Sequence, residues 1–116
     1  MTNGNRLFEA TIENGDGMTI VRAAGEIDVA SAPELDQMLG QAGDAGVPLV
    51  IVDLSEVSLL DSTGLGVLIS HLDRLKAKDG TEMRLVATTP NILKVFSITG
   101  LDQVFSIFPT AEQAAR

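Results

Sequence analysis

The chain contains no cysteine. Disulfides, thiolate nucleophiles and cysteine-held zinc or iron–sulfur centres are therefore excluded. Histidine is almost as scarce, with His71 standing alone, so neither a transition-metal site nor a metal-dependent cofactor is expected. Bases are outnumbered two to one by acids, 8 against 16, for a formal net charge of −8. A negative field of that size disfavours nucleic acid and anionic lipid and favours steering toward a basic partner surface. No stretch approaches the ~20 apolar residues needed to span a membrane. The polar opening Met-Thr-Asn-Gly-Asn-Arg lacks the apolar stretch of a signal peptide, so a cytoplasmic protein is expected. Internal repeats, low-complexity tracts and linkers are also missing. The 116 residues fit one domain, with 1–5 expected as a flexible terminus and 6–116 as the folded unit.

What is present is an ordinary apolar fraction of 45%, enough for a packed core, arranged in alternating patterns. Residues 7–13 and 18–24 read as a hairpin around Asn14-Gly15-Asp16-Gly17. Ser31-Ala32-Pro33-Glu34 reads as a helix start, with Ser31 and Glu34 forming a capping box. Leu35, Met38, Leu39 and Ala42 give that helix an apolar face, and Gly46 a stop. Residues 48–54 carry Leu49-Val50-Ile51-Val52, the continuous β-branched run of a central strand buried on both faces. Residues 62–78 form the clearest helix, with Leu65, Leu68, Ile69, Leu72 and Leu75 on one stripe and Asp79-Gly80 ending it. A strand over 82–88, a short helix over 91–99 stopped by Gly100, a strand over 104–108 and a last helical turn over 110–115 complete the chain. Leu101, Val104 and Phe105 are expected to seal the sheet edge. The order β-β-α-β-α-β-α-β-α predicts an α/β domain, a mixed and largely parallel sheet covered by about four helices.

The richest stretch lies between the apolar run ending at Leu60 and the long helix: Asp61-Ser62-Thr63-Gly64-Leu65-Gly66. A hydroxyl at a helix start, beside an acid, is well placed to be modified. A phosphate on Ser62 would add about −1.5 to −2 charges there. The blander reading makes Ser62 an N-cap worth ~1 kcal/mol. Gly64 and Gly66 each sacrifice about 1 kcal/mol of helix propensity against alanine. Either tight helix–sheet packing or the close approach of a partner would account for them. The glycines lack both the third glycine of a dinucleotide site and the lysine of a phosphate-binding loop. A hydrolase would need His71 as a base for Ser62. Nine residues along one helix rotate by about 900° and rise ~13.5 Å, so the two side chains point apart. His71 is expected to be a partly exposed surface residue. Arg74, Lys76 and Lys78 read as a basic patch complementing the negative end of the helix dipole.

Three blocks resemble the STAS-domain family, specifically the bacterial anti-sigma factor antagonists. Gly25-Glu26-Ile27-Asp28 before a capped helix resembles the family's Gly-Glu-Leu-Asp block. Val52-Asp53-Leu54 through Asp61-Ser62-Thr63-Gly64-Leu65-Gly66 resembles its phosphoacceptor block. Val95 to Phe105 resembles its C-terminal segment. The blocks stand in the family's order and cover nearly the whole chain.

The resemblance implies a regulatory binding protein, not an enzyme. It implies an anti-sigma factor serine kinase as partner, whose capture frees a sigma factor. Phosphorylation of Ser62 by that kinase would end the association, and a serine phosphatase would restore it. Thr63, where many members carry a second serine, is a minor second acceptor candidate. Asp28, Asp61, Ser62, Thr63, Gly64 and Gly66 form the implied partner-binding set. Asp61 would orient the Ser62 hydroxyl, and Asp28 would serve the partner or the phosphosite, its plainer role being a turn residue. The other role open to the family is a non-switched scaffold subunit of a signalling or transport assembly. A small esterase-like enzyme would need a base near Ser62, and only carboxylates are at hand.

Overall fold

A computed structural model describes residues 7–78 and 80–116. The expected flexible terminus 1–5 and the Asp79 part of the helix stop lie outside the described residues. The chain runs β1 (Phe8–Gly15), β2 (Met18–Ile27), α1 (Ala32–Asp44), β3 (Leu49–Leu60), α2 (Ser62–Lys76), β4 (Glu82–Val86), α3 (Pro90–Thr99), β5 (Ile107–Phe108) and α4 (Ala111–Ala114), with a 3₁₀ turn at Leu101–Gln103. The five strands lie in sequential order β1-β2-β3-β4-β5. The β1–β2 hairpin is antiparallel and every other pair is parallel. The mixed, largely parallel α/β sheet read from the sequence is thus the fold observed.

β3 is the spine. Val50, Val52 and Leu54 enter the main core, which the apolar faces of α1, α2 and α3 close from one side. Ile51 points the other way and meets Val86 and Ala114 of α4. That is how a continuous apolar run becomes a strand with two dry faces. The strand runs six residues beyond the Leu54 limit expected from its pattern, to Leu60. Two register irregularities against β2, between Arg22 and Ala24 and between Gly25 and Glu26, explain why the pattern hid this. Each bulge resets the alternation, so buried residues fall at Val52, Leu54, Val57 and Leu60 rather than at every second position. β4 stops at Val86 opposite Asp53. The free flank of β3 beyond it is met by α3, whose Asn91 side chain donates to the Ser58 carbonyl at 2.9 Å.

The C-terminal strand is shorter than expected. Phe105 is drawn into the core, edge-on to Phe96 with ring centroids 5.7 Å apart. The amides of Gln103, Val104 and Phe105 are bonded within turns to Gly100 and Leu101. Only Ile107 and Phe108 therefore reach the ladder with β4. Val104 is exposed and seals nothing, whereas Leu101 packs on the core. On the opposite face, Arg84 donates to the carbonyls of Ala114 and Arg116 and fastens α4 down. Its neighbour Glu82 is hydrogen-bonded to the same guanidinium, which holds the Glu82 carboxyl below its usual range.

Candidate functional site

The end of β3 delivers the chain directly into α2. Asp61 donates its amide to the Ile27 carbonyl at 3.1 Å, tying the junction to the end of β2. Its backbone is extended and its side-chain Oδ1 accepts from the Gly64 amide at 3.1 Å. Asp61, not Ser62, is therefore the N-cap. Ser62 is the first helical residue, and the capping role considered for its hydroxyl is already filled. An Asp61 carboxylate engaged with Gly64 does not hold the Ser62 hydroxyl, which has no hydrogen-bond partner among the described residues. Ser62 and Thr63 are both exposed. The first two free donors of a helix are the amides of its opening residues. Here those are Ser62 and Thr63, and neither finds a partner among the described residues.

The two glycines separate cleanly. A Cβ on Gly64 would lie 2.5 Å from Ile27 Cγ2 and 2.7 Å from Leu60 Cδ1, so Gly64 exists to let α2 sit on the sheet. A Cβ on Gly66 would meet nothing within 4 Å. No packing inside the molecule requires a glycine there.

Asp28 occupies the loop between β2 and α1. Its Oδ1 accepts from the amides of Ala30 at 2.9 Å and Ser31 at 3.2 Å, the turn geometry of a short acidic side chain. Ser31 does stand at the N-cap position, but the expected capping box does not form. Its hydroxyl is instead drawn to the Glu26 carbonyl at 2.8 Å and accepts from the Asp28 amide at 2.9 Å. A buried strand-end carbonyl needs a donor, and Ser31 is the one in reach. The result is a rigid loop whose tip, Val29, is 74% exposed.

Between this loop and α2 runs an open groove of about 560 Å³. Val29, Ala32, Pro33 and Asp36 form the α1 wall. Thr63, Gly66, Val67 and Ser70 form the α2 wall. Asp28 supports the groove from behind through its loop, while Gly64 faces the sheet. Sequence reasoning missed Asp36, and it marked Val29 only as less polar than its counterparts in many members of the family, not as part of a groove. An apolar residue stranded between an acidic turn and a helix start was the available signal for Val29.

His71 is buried rather than exposed, because α1 lies over it. Its Nε2 is 2.6 Å from Asp36 Oδ1 and its Nδ1 is 3.3 Å from Arg74 Nη2. Ser62 and His71 share α2, as the dyad argument required. Arg74 and Lys78 do more than complement their own helix: Arg74 bonds Asp44 at 3.3 Å, and Lys78 donates to the Gly43 carbonyl at 3.0 Å. Both cations therefore hold the C-terminal end of α1.

The model of the STAS domain matches residues 9–114. The chain belongs to the STAS domain family. Within it the chain stands with the anti-sigma factor antagonists. It is 39% identical over 92 residues to the anti-sigma-B factor antagonist of Bacillus subtilis (strain 168), covering 79% of this chain and 83% of that protein. The crystal structure of an anti-sigma factor antagonist from Mycobacterium paratuberculosis superposes with a TM-score of 0.87 at 33% identity, covering 93% of this chain and 91% of the other. The Bacillus cell fate determinant SpoIIAA in its phosphorylated form superposes with a TM-score of 0.70 at 25% identity, covering 92% and 96%. The STAS fold thus accounts for nearly the whole chain. Among the described residues, no helix is long and apolar enough to cross a membrane, and no group of His, Asp or Glu side chains could hold a metal ion.

Proposed function

We propose that this STAS domain works in the cytoplasm by binding an anti-sigma factor of the serine-kinase type, and that phosphorylation of Ser62 ends the association. One observation carries the reading. Ser62 is exposed on the first turn of α2, with its cap duty taken by Asp61 and its hydroxyl uncommitted, and its neighbour Thr63 lines the α1–α2 groove. A kinase can reach such a hydroxyl without unfolding anything. The resulting dianion would be locally welcome, because the helix dipole and the free amides of Ser62 and Thr63 attract negative charge. The fold therefore survives, and what suffers is docking. A partner seated in the groove would have to desolvate the phosphate beside Asp61.

Gly66 and Val29 support the same reading. A helix glycine with empty space before it lets another backbone come close. An apolar loop tip held rigid by Asp28 has no use inside the molecule. Asp28, Asp61, Ser62, Thr63 and Gly66 then act as one surface, with Gly64 setting its depth and Thr63 available as a minor acceptor. A serine phosphatase would reset the switch, and the similar SpoIIAA is described in a phosphorylated form.

The test uses wild type, Ser62→Ala and Ser62→Asp as baits in lysate, with captured proteins identified by mass spectrometry. An ATP-dependent serine kinase captured by wild type and Ser62→Ala but lost with Ser62→Asp is the expected result. The purified kinase should then place phosphate on the Ser62 peptide. Equal capture by all three baits would make the protein an unswitched scaffold.

A further inference from the structure

The groove contains one charge, and it is built in an unusual way. Among the described residues, Asp36 is the only ionisable one on either wall. Its side chain is 60% exposed, whereas that of His71, which binds it, is 8% exposed. The state of the histidine follows from its second neighbour. Arg74 presents a guanidinium to Nδ1, and a guanidinium can only donate. Nδ1 therefore accepts, the ring hydrogen sits on Nε2, and Nε2 donates it to Asp36 Oδ1. The imidazole orients the carboxylate through Oδ1. Asp44 and Asp36 are the carboxylates, and Arg74 the cation, that face this arrangement from α1 and α2. Arg74 is turned toward Asp44, so no cation of the chain itself covers Asp36 Oδ2 among the described residues.

We propose that Asp36, held by His71, anchors an arginine side chain of the protein that docks in the α1–α2 groove. The inference rests on the docking reading above and names the chemistry that the partner must bring. Charge complementarity selects a cation. The walls select its kind: Val29, Ala32, Pro33 and Val67 are apolar, and the weakly hydrated, planar guanidinium tolerates such surroundings better than an ammonium. Such a charge-assisted contact is about twice as strong as a neutral hydrogen bond. Asp36 is the contact residue, and His71 is a positioning residue that acts only through it.

Two measurements test this. In the first, the free protein is titrated with Nα-acetylarginine amide and, separately, with the lysine analogue, while NMR follows the Asp36 Cγ resonance and the amides of Gly66 and Ser70. Saturable shifts at these positions, larger with arginine and lost in Asp36→Asn, are expected. His71→Gln, which keeps an N–H donor, should retain them, and His71→Leu should weaken them while the rest of the spectrum stays native. Shifts spread evenly over the surface carboxylates, or unchanged in Asp36→Asn, would overturn the proposal. In the second, the kinase captured as described above is purified and titrated against wild type and Asp36→Asn. A Kd raised about tenfold or more is expected for the loss of a desolvated charge contact. If the kinase binds both equally, the anchor is wrong and the docking reading survives. If no kinase binds wild type, the docking reading falls, and the arginine titration alone decides whether Asp36 is an arginine site.

Discussion

The two ends of α2 are built in opposite ways. The C-terminal half is locked: His71, Arg74 and Lys78 reach Asp36, Asp44 and the Gly43 carbonyl of α1. Gly43 lies so close that a Cβ there would stand 2.7 Å from Arg74 Nη2 and 3.2 Å from Leu75 Cδ2. The N-terminal end is open. Among the described residues, Ser62, Thr63 and Gly66 have no such ties, and the neighbouring loop offers Val29 to solvent. On the docking proposal, a surface that takes up and releases a partner cannot be held by its own side chains. It can be held from the far end, and the polar ties between α1 and α2 do that without engaging Ser62 or Thr63. The lesson is that a free first turn needs a fixed last turn.

Substitutions at the two glycines sharpen this contrast most. Gly64→Ala forces a methyl into Ile27 and Leu60 and is expected to cost about 1–3 kcal/mol by overpacking. Gly66→Ala meets empty space and is expected to gain about 0.5–1 kcal/mol of helix stability. Urea unfolding of both variants reads the difference. If Gly66→Ala destabilised the fold, the open end would be a packed one. Partner affinity should move the other way, with Gly66→Ala binding more weakly despite its greater stability.

The cap gives the next effect. Asp61→Ala removes the bond to the Gly64 amide and should lose about 1 kcal/mol. Ser62→Ala should stay within about 0.5 kcal/mol of wild type, as surface changes without a bond to lose usually do. Reversal of that order in thermal melts would return the cap to Ser62 and weaken the case for a hydroxyl free to be modified.

The smallest effect serves as a control outside both ends of α2. The Arg84 hydrogen bond holds the Glu82 carboxyl below its usual range. A group whose folded value is depressed contributes stability above its unfolded value, and that contribution disappears as pH falls through the folded one. Glu82→Gln should therefore be slightly less stable than wild type at neutral pH and converge with it as the carboxyl protonates in acid, with partner binding unchanged. A change in binding would mean that the α4 face also takes part in docking.

Much of this molecule is legible without coordinates. Asp16-Gly17 announces the hairpin, Leu49 to Val52 the central strand, and the Leu65-to-Leu75 stripe the long helix, because each is a local pattern with a local physical cause. The phosphoacceptor-like block could be marked from residue types alone. What stayed hidden depended on distant neighbours. The length of β3 was masked by bulges that break its alternation. The last strand was shortened because Phe105 found Phe96. His71 looked like a surface residue because its partner, Asp36, lies 35 positions away. Ser31 left its capping box for the Glu26 carbonyl.

The sequence by itself determined the family, the alternation of strands and helices, and which hydroxyl stands at the head of α2. These are written in spacing and residue type, which survive without knowledge of what packs against what. Tertiary structure alone decided that Asp61 rather than Ser62 caps the helix, that Gly64 serves the sheet while Gly66 faces open space, and that a buried histidine holds Asp36 in the groove. Those roles depend on which backbone amide, methyl group or carboxylate arrives within a few ångströms, and only the folded chain brings them there.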